Sequence, residues 1–453
     1  MKRVVFALVA LSLVSGCGAR LGKRNVSVAA PGQRIAVLGT EATTQIDRTL
    51  AGVPVALPPA VANDSWPQPG GNASKSVGHL ALGSALGAAW TADIGQGSTN
   101  RGRLAAAPVV AAGRVYTVDT TAALRAFDAA SGKEVWATRI GDPKDIAGGR
   151  SIWNGEYTGN AGALFGGGVS YDNGRVYATN GIGDAAAFDA ATGAQIWRVR
   201  PGGPLRGAPT IADGNVYVVS QDNQLHALDP ATGALRWSGV GTLEIAGVFG
   251  SASPASARGT VVAGYSSGEL TAYRYENGRT LWQEALNRTN ISTTVGALSD
   301  VDAEPVIHEG RVYAIGQGGR MVSVDLITGQ RIWEINAAGI STPAVVGDWI
   351  FVVTDDAQLL AIARETGRVR WKSQLARYRS EKSKTGPITW VGPVLAGNRL
   401  ILASSMGHIA NVSPVTGQVQ TVANTRVPIS LQPVVAGNTL YILNDRGQLT
   451  AWR

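Results

Sequence analysis

The chain has 453 residues, 45% hydrophobic, 16% charged and 6% aromatic, with 58 glycines and one cysteine. This is too apolar and too weakly charged for a disordered protein, and the glycines lack the triplet period of collagen. Forty basic against thirty-two acidic side chains give a net charge of +8, but Lys and Arg are scattered singly instead of forming a stripe interleaved with aromatics, so no nucleic-acid partner is expected.

Residues 1–16 read as a signal peptide: Met1-Lys2-Arg3 precedes an apolar run from Val4 to Val14, well short of the ~20 residues of a spanning helix. The run ends in Leu13-Val14-Ser15-Gly16-Cys17, which resembles the bacterial lipobox, and Cys17 is thereby expected to carry lipid. Acyl chains contribute ~0.8 kcal/mol per buried methylene, enough to hold a globular body at a membrane without a spanning segment. Gly18 follows where Asp would retain a lipoprotein at the inner membrane, which favours the outer membrane, facing the periplasm. Residues 17–79 are rich in Ala, Val and Pro, with Pro54, Pro58, Pro59, Pro67 and Pro69 favouring extended backbone. They read as a tether, with partial docking on the body left open.

Residues 80–453 read as one propeller domain, and from about Ala107 onward one pattern recurs: Pro, a short apolar strand, Gly, a second strand, a polar turn, a third strand ending in Asp, then Thr-Gly and a fourth strand ending in Trp. Pro209 to Trp237 is its clearest copy, with Gly214, Asp222-Asn223, Asp229 and Thr232-Gly233 as landmarks. The copy from Pro393 keeps Thr416-Gly417 but has Val419 where Trp is expected, and the last copy stops after its third strand at Trp452-Arg453. Each unit of about 40 to 60 residues reads as a four-stranded antiparallel meander, the size of a propeller blade. The segment Leu86 to Trp90 looks like an orphan fourth strand that completes the last unit and removes sheet edges. The fold expected is all-β: an eight-bladed propeller closed by an N-terminal strand.

The Asp-x-x-Thr-Gly-x-x-x-Trp repeat resembles the pyrroloquinoline quinone type of propeller. Together with the lipobox, and with Leu298-Ser299-Asp300-Val301-Asp302 before Pro305, the whole chain resembles the BamB family of the outer-membrane β-barrel assembly machinery. The resemblance implies a non-catalytic scaffold lipoprotein that binds the periplasmic POTRA domains of BamA and joins other subunits of that machinery, and the many edge strands of a propeller suggest unfolded barrel precursors as a further partner. It also implies that Asp300 and Asp302, with Leu243 and Ile245 in a neighbouring loop, touch the partner. Ala246 stands where the family would have an Arg.

Residues able to do chemistry are few. His79, His226, His308 and His408 lie in different repeats or in the tether region, without metal-ligand spacing. Gly264-Tyr265-Ser266-Ser267-Gly268 matches a nucleophile elbow in letters, but falls on a hairpin turn with no helix behind it. A quinoprotein dehydrogenase shares the repeat, yet resembles a longer chain with adjacent cysteines, and no cofactor is expected here. A cell-wall carbohydrate binder is a further alternative, with Trp153, Tyr157 and Phe165 in the Gly-rich insertion 148–168 as stacking candidates. Arg377, Arg379, Lys382 and Lys384, with Glu381 among them, read as a solvated loop.

Overall fold

The computed structural model describes residues 44–453 except 101, 143–148, 151–156, 159–165, 244–251 and 287–298. Cys17, Ile245, Ala246, Leu298, Trp153 and Phe165 lie outside the described residues.

Among the described residues, eight four-stranded antiparallel sheets form the blades of a β-propeller. Blades 1 to 7 span 109–139, 167–199, 210–240, 255–285, 306–335, 344–374 and 390–424. Blade 3 is representative, running from Thr210–Ala212 through Asn215–Val219 and Gln224–Leu228 to Leu235–Val240. Its second strand is buried throughout, whereas the fourth alternates exposed and buried positions, so only the outermost strand shows the period-two pattern of a half-solvated surface. Blade 8 joins both ends of this array: Val434–Ala436, Thr439–Leu443 and Gln448–Trp452 are completed by Ala88–Asp93, which pairs with Gln448–Trp452. The segment preceding blade 1 thus supplies a fourth strand, two residues further along than Leu86 to Trp90.

The repeated landmarks have local causes. Asp189 Oδ1 accepts from the amides of Ala191 and Thr192 and from the Thr192 hydroxyl, closing the Asp-x-x-Thr-Gly turn. Gly193 follows at φ +75°, and a Cβ there would lie 2.7 Å from the Trp136 ring of the preceding blade. Glycine is therefore required twice, by the backbone and by the indole. The Trp is seated opposite a small residue of strand three, as Ala227 faces Trp237, and the register shifts immediately beyond it. In blade 7 the residue opposite Ala410 is Thr421. Thr421, not Val419, occupies the place of the Trp.

The second half of the expected tether is docked. From Thr44 on the chain belongs to the same compact unit as the blades. Trp66, 2% exposed, exchanges both backbone hydrogen bonds with Val110 of blade 1. Pro67, Ala73 and Ser74 offer their carbonyls to the amides of Tyr171, Ser256 and Ile307 in blades 2, 4 and 5. The Gln68 amide side chain pairs with Ile211 of blade 3, Leu80 bonds Leu395 and Gly397 of blade 7, and Asn63 bonds Val435 and Gly437 of blade 8. At blade 6 the contact is apolar, Val55 packing with Val346 and Trp349. Residues 55–82 thus thread across the innermost strands and plug the central channel at one end.

Candidate partner-docking site

The connections from each outermost strand to the next innermost strand carry the sequence-predicted partner residues. After blade 3, Thr242 is pinned from both sides: its amide and hydroxyl donate to Glu269 at 2.8 and 2.6 Å, and its carbonyl accepts from Asn223 at 2.7 Å. Leu243 follows with 66% of its surface exposed. A large apolar side chain on a fixed stalk is suited to anchoring a partner, because little freedom remains to be lost on docking.

Asp300 and Asp302 are placed differently from the surface patch expected of them. Asp300 is 1% exposed and accepts from Arg206 at 2.6 Å, and Asp302 takes the same guanidinium nitrogen at 3.3 Å and the Gln317 side-chain amide at 2.9 Å. Val301 between them is fully buried, with its amide on the Tyr265 carbonyl. Its side chain fills space that Gly264 leaves open, since a Cβ there would come within 2.5 Å. The two aspartates therefore tie the blade 4 to 5 connection to Arg206 in the blade 2 to 3 connection, framing the loop surface from beneath. Burial, and then the neighbouring Asp300 carboxylate, push Asp302 up to about 8 against the opposing pull of Arg206.

Sequence reasoning missed two charged groups here. Arg206 sits in Pro204-Leu205-Arg206-Gly207 with no motif to mark it. Lys75, in the expected tether, is buried with its ammonium on the Pro69 carbonyl and the Thr210 hydroxyl, and desolvation pushes it down to about 8 despite the Glu304 carboxylate nearby.

The chemistry candidates fall in separate places. His79 bridges Pro58 and the Asn398 amide, His226 meets Ser238, and His308 meets Ser76. Ser266 lies in a hairpin turn with its hydroxyl on Asn223. The loop with Arg377 carries a short hairpin, Tyr378–Ser380 with Thr385–Pro387. Tyr157 begins a two-residue strand, Tyr157–Thr158.

A family model described as outer membrane protein assembly factor BamB matches residues 87–147 and 142–373. Outer membrane protein assembly factor BamB of Salmonella typhimurium is 28% identical over 347 residues, covering 76% of this chain and 83% of that one. Among solved structures, BamB from Moraxella catarrhalis superposes with a TM-score of 0.66 at 20% identity, over 82% of this chain and all of that one. A quinohemoprotein alcohol dehydrogenase from Comamonas testosteroni reaches 0.64 at 13% identity, over 87% of this chain and 81% of that one. At such identities the structural likenesses speak to the fold alone.

Proposed function

The chain belongs to the outer membrane protein assembly factor BamB family, and on that premise we propose that it is a non-catalytic scaffold of the β-barrel assembly machinery, acting at the outer membrane. The observation that carries this reading is the family match, which runs through the blades on both sides of the docking connections. The shared propeller fold of the dehydrogenase does not compete with it, because a fold hosts many functions.

In the finer reading, Cys17 carries the lipid that holds the protein at the outer membrane, and the inter-blade connections dock on the POTRA domains of BamA. Leu243, with Ile245 beside it in sequence, supplies the apolar contact. Asp300 and Asp302 serve that surface as its frame, through Arg206. The outer edges of the fourth strands, apart from Val369 of blade 6, which is bonded to Asp47, offer backbone groups on which an unfolded barrel precursor pairs transiently. Affinity purification of the full chain from membranes, with identification of what co-purifies, tests the reading. BamA should be recovered with the wild type and depleted with Leu243→Asp, whereas turnover of an alcohol or sugar with bound quinone would overturn it.

A further inference from the structure

The net positive charge of the molecule is concentrated on blade 6. Residues 364–384 carry eight basic side chains against two acidic ones, Glu365 and Glu381, a surplus of six where the whole chain has eight. Three of these cations are matched: Arg364 by Glu309 and Glu365, Arg368 by Asp47 at 3.4 Å and Arg377 by Asp356. Arg370, Lys372, Arg379, Lys382 and Lys384 have no carboxylate partner among the described residues.

Two of the five stand on strand four and three on the hairpin that follows it. Arg370 and Lys372 alternate with the buried Val369 and Trp371. Their head groups rest on neutral carbonyls, those of Val53 at 3.0 Å and Thr44 at 3.3 Å, which leaves the charge in place. Arg379, Lys382 and Lys384 are exposed. The hairpin that carries them is held in shape: Tyr378 pairs with Pro387 and Ser380 with Thr385, the Ser383 hydroxyl bonds those of Ser380 and Thr385, and Glu381 Oε1 accepts from the amides of Arg377 and Tyr378. A turn fixed in this way presents its cations with little backbone freedom left to lose.

Composition selects the partner. Tyr378 is the one aromatic residue of the hairpin, and the Arg377 guanidinium lies over its ring at 5.4 Å, which leaves little for stacking on a base. Exposed lysine is what protein interfaces are depleted of. Against a layer of lipid headgroups the same cations stay hydrated, and each still contributes about fivefold in partitioning. Thr44, where the described chain begins, touches this surface through Lys372, so a lipid on Cys17 would tether the body by the same rim. We propose that the cationic rim of blade 6, strand four together with its hairpin, binds the headgroups of anionic phospholipid at the membrane surface, with Arg379, Lys382 and Lys384 as the leading contacts. A lipid on Cys17 alone would leave the body free to tumble on its tether, and this surface gives it an orientation. The inference goes beyond the docking reading and does not depend on it, because the rim meets headgroups with or without an acyl chain on Cys17 and with or without BamA.

The test is co-sedimentation of the mature chain, from residue 17 with Cys17→Ser so that no acyl chain contributes, with vesicles of phosphatidylcholine and phosphatidylglycerol in equal parts and with vesicles of phosphatidylcholine alone. Binding to the anionic vesicles, binding weaker by at least about tenfold to the neutral ones, and release on raising salt from about 0.05 M to about 0.5 M are expected. The combined variant Arg379→Gln, Lys382→Gln, Lys384→Gln should lower the partition coefficient about a hundredfold at low salt, and Arg370→Gln with Lys372→Gln about tenfold. Removing equal charge from blades 1, 2 and 4, with Lys133→Gln, Arg198→Gln and Arg279→Gln, should lower it by less than about threefold. Urea midpoints show that each variant is folded, and the strand-four pair keeps the test open should the hairpin variant unfold. Equal binding to both kinds of vesicle, wild-type binding in the folded rim variants, or an equal loss in the control set overturns the proposal. So does binding of soluble polyglutamate without binding of vesicles, which would assign the rim to an acidic polypeptide. Leu243→Asp should bind the vesicles as the wild type does, so failure of the docking reading would leave this result standing.

Discussion

The indole Nε1 of Trp237 donates to the carbonyl of Tyr275 in the next blade, 2.8 Å away. The same latch recurs from Trp90 to Ala129, Trp136 to Ala190, Trp197 to Pro230, Trp282 to Leu326, Trp333 to Arg364 and Trp371 to Pro414, always onto the turn between strands three and four. Trp237→Phe keeps most of the buried ring and removes the donor, so it should cost about 1 kcal/mol, whereas Trp237→Ala should cost about 3–5 kcal/mol. Urea unfolding of the two variants checks both values, and wild-type stability in Trp237→Phe would show that the hydrogen bond contributes nothing.

Arg206 and Leu243 separate framing from contact. Arg206→Met leaves two buried carboxylates without their guanidinium and should cost about 3–5 kcal/mol. Leu243→Asp, on an exposed side chain, should stay within about 0.5 kcal/mol of wild type while reducing BamA recovery. Urea midpoints alongside the co-purification yields read both effects.

Asp302 sets a pH dependence with a definite sign. Its folded pKa is raised from 3.8 to about 8, so the folded state binds the extra proton across that interval. Its stabilising contribution is complete below 3.8 and is lost as pH rises through about 8. Wild-type stability relative to Asp302→Asn should therefore fall from pH 4 to pH 8. A flat difference, measured as urea midpoints across the range, would contradict this placement of the carboxyl.

Trp66 anchors the plug. Trp66→Ala should cost about 3–5 kcal/mol and expose residues 55–82 to protease. In the wild type, cleavage between 55 and 82 should be slow and cleavage before Thr44 should leave the melting temperature unchanged. Mass mapping of the fragments decides it.

The blades were readable because each landmark meets a physical need, as Gly193 does for both its own φ and the indole of Trp136. Even the missing Trp has a structural cause: blade 8 has no turn between its third and fourth strands, which meet instead through paired backbone hydrogen bonds of Gly87 and Arg453. An indole at Thr421 would have no such turn to latch. The plug was not readable. Its contacts are largely backbone to backbone and impose no periodicity, and its prolines favour extended chain in a linker and in a channel alike. Arg206 escaped notice because its partner Asp300 lies 94 positions away, beyond any spacing rule.

The way the leading segment is attached also decides how the molecule bears load. Tension applied ahead of Thr44 falls first on a handful of weak ties: the Thr44 hydroxyl on Asn336, the lone bridge of Ile46 to Val369, the Asp47 amide on Val369 and the Arg370 side chain on Val53. These yield one after another and pay out slack before any strain arrives at Trp66. Under the proposed anchoring at Cys17, the rim of blade 6 is where such a load would be spent, ahead of the wheel of sheets.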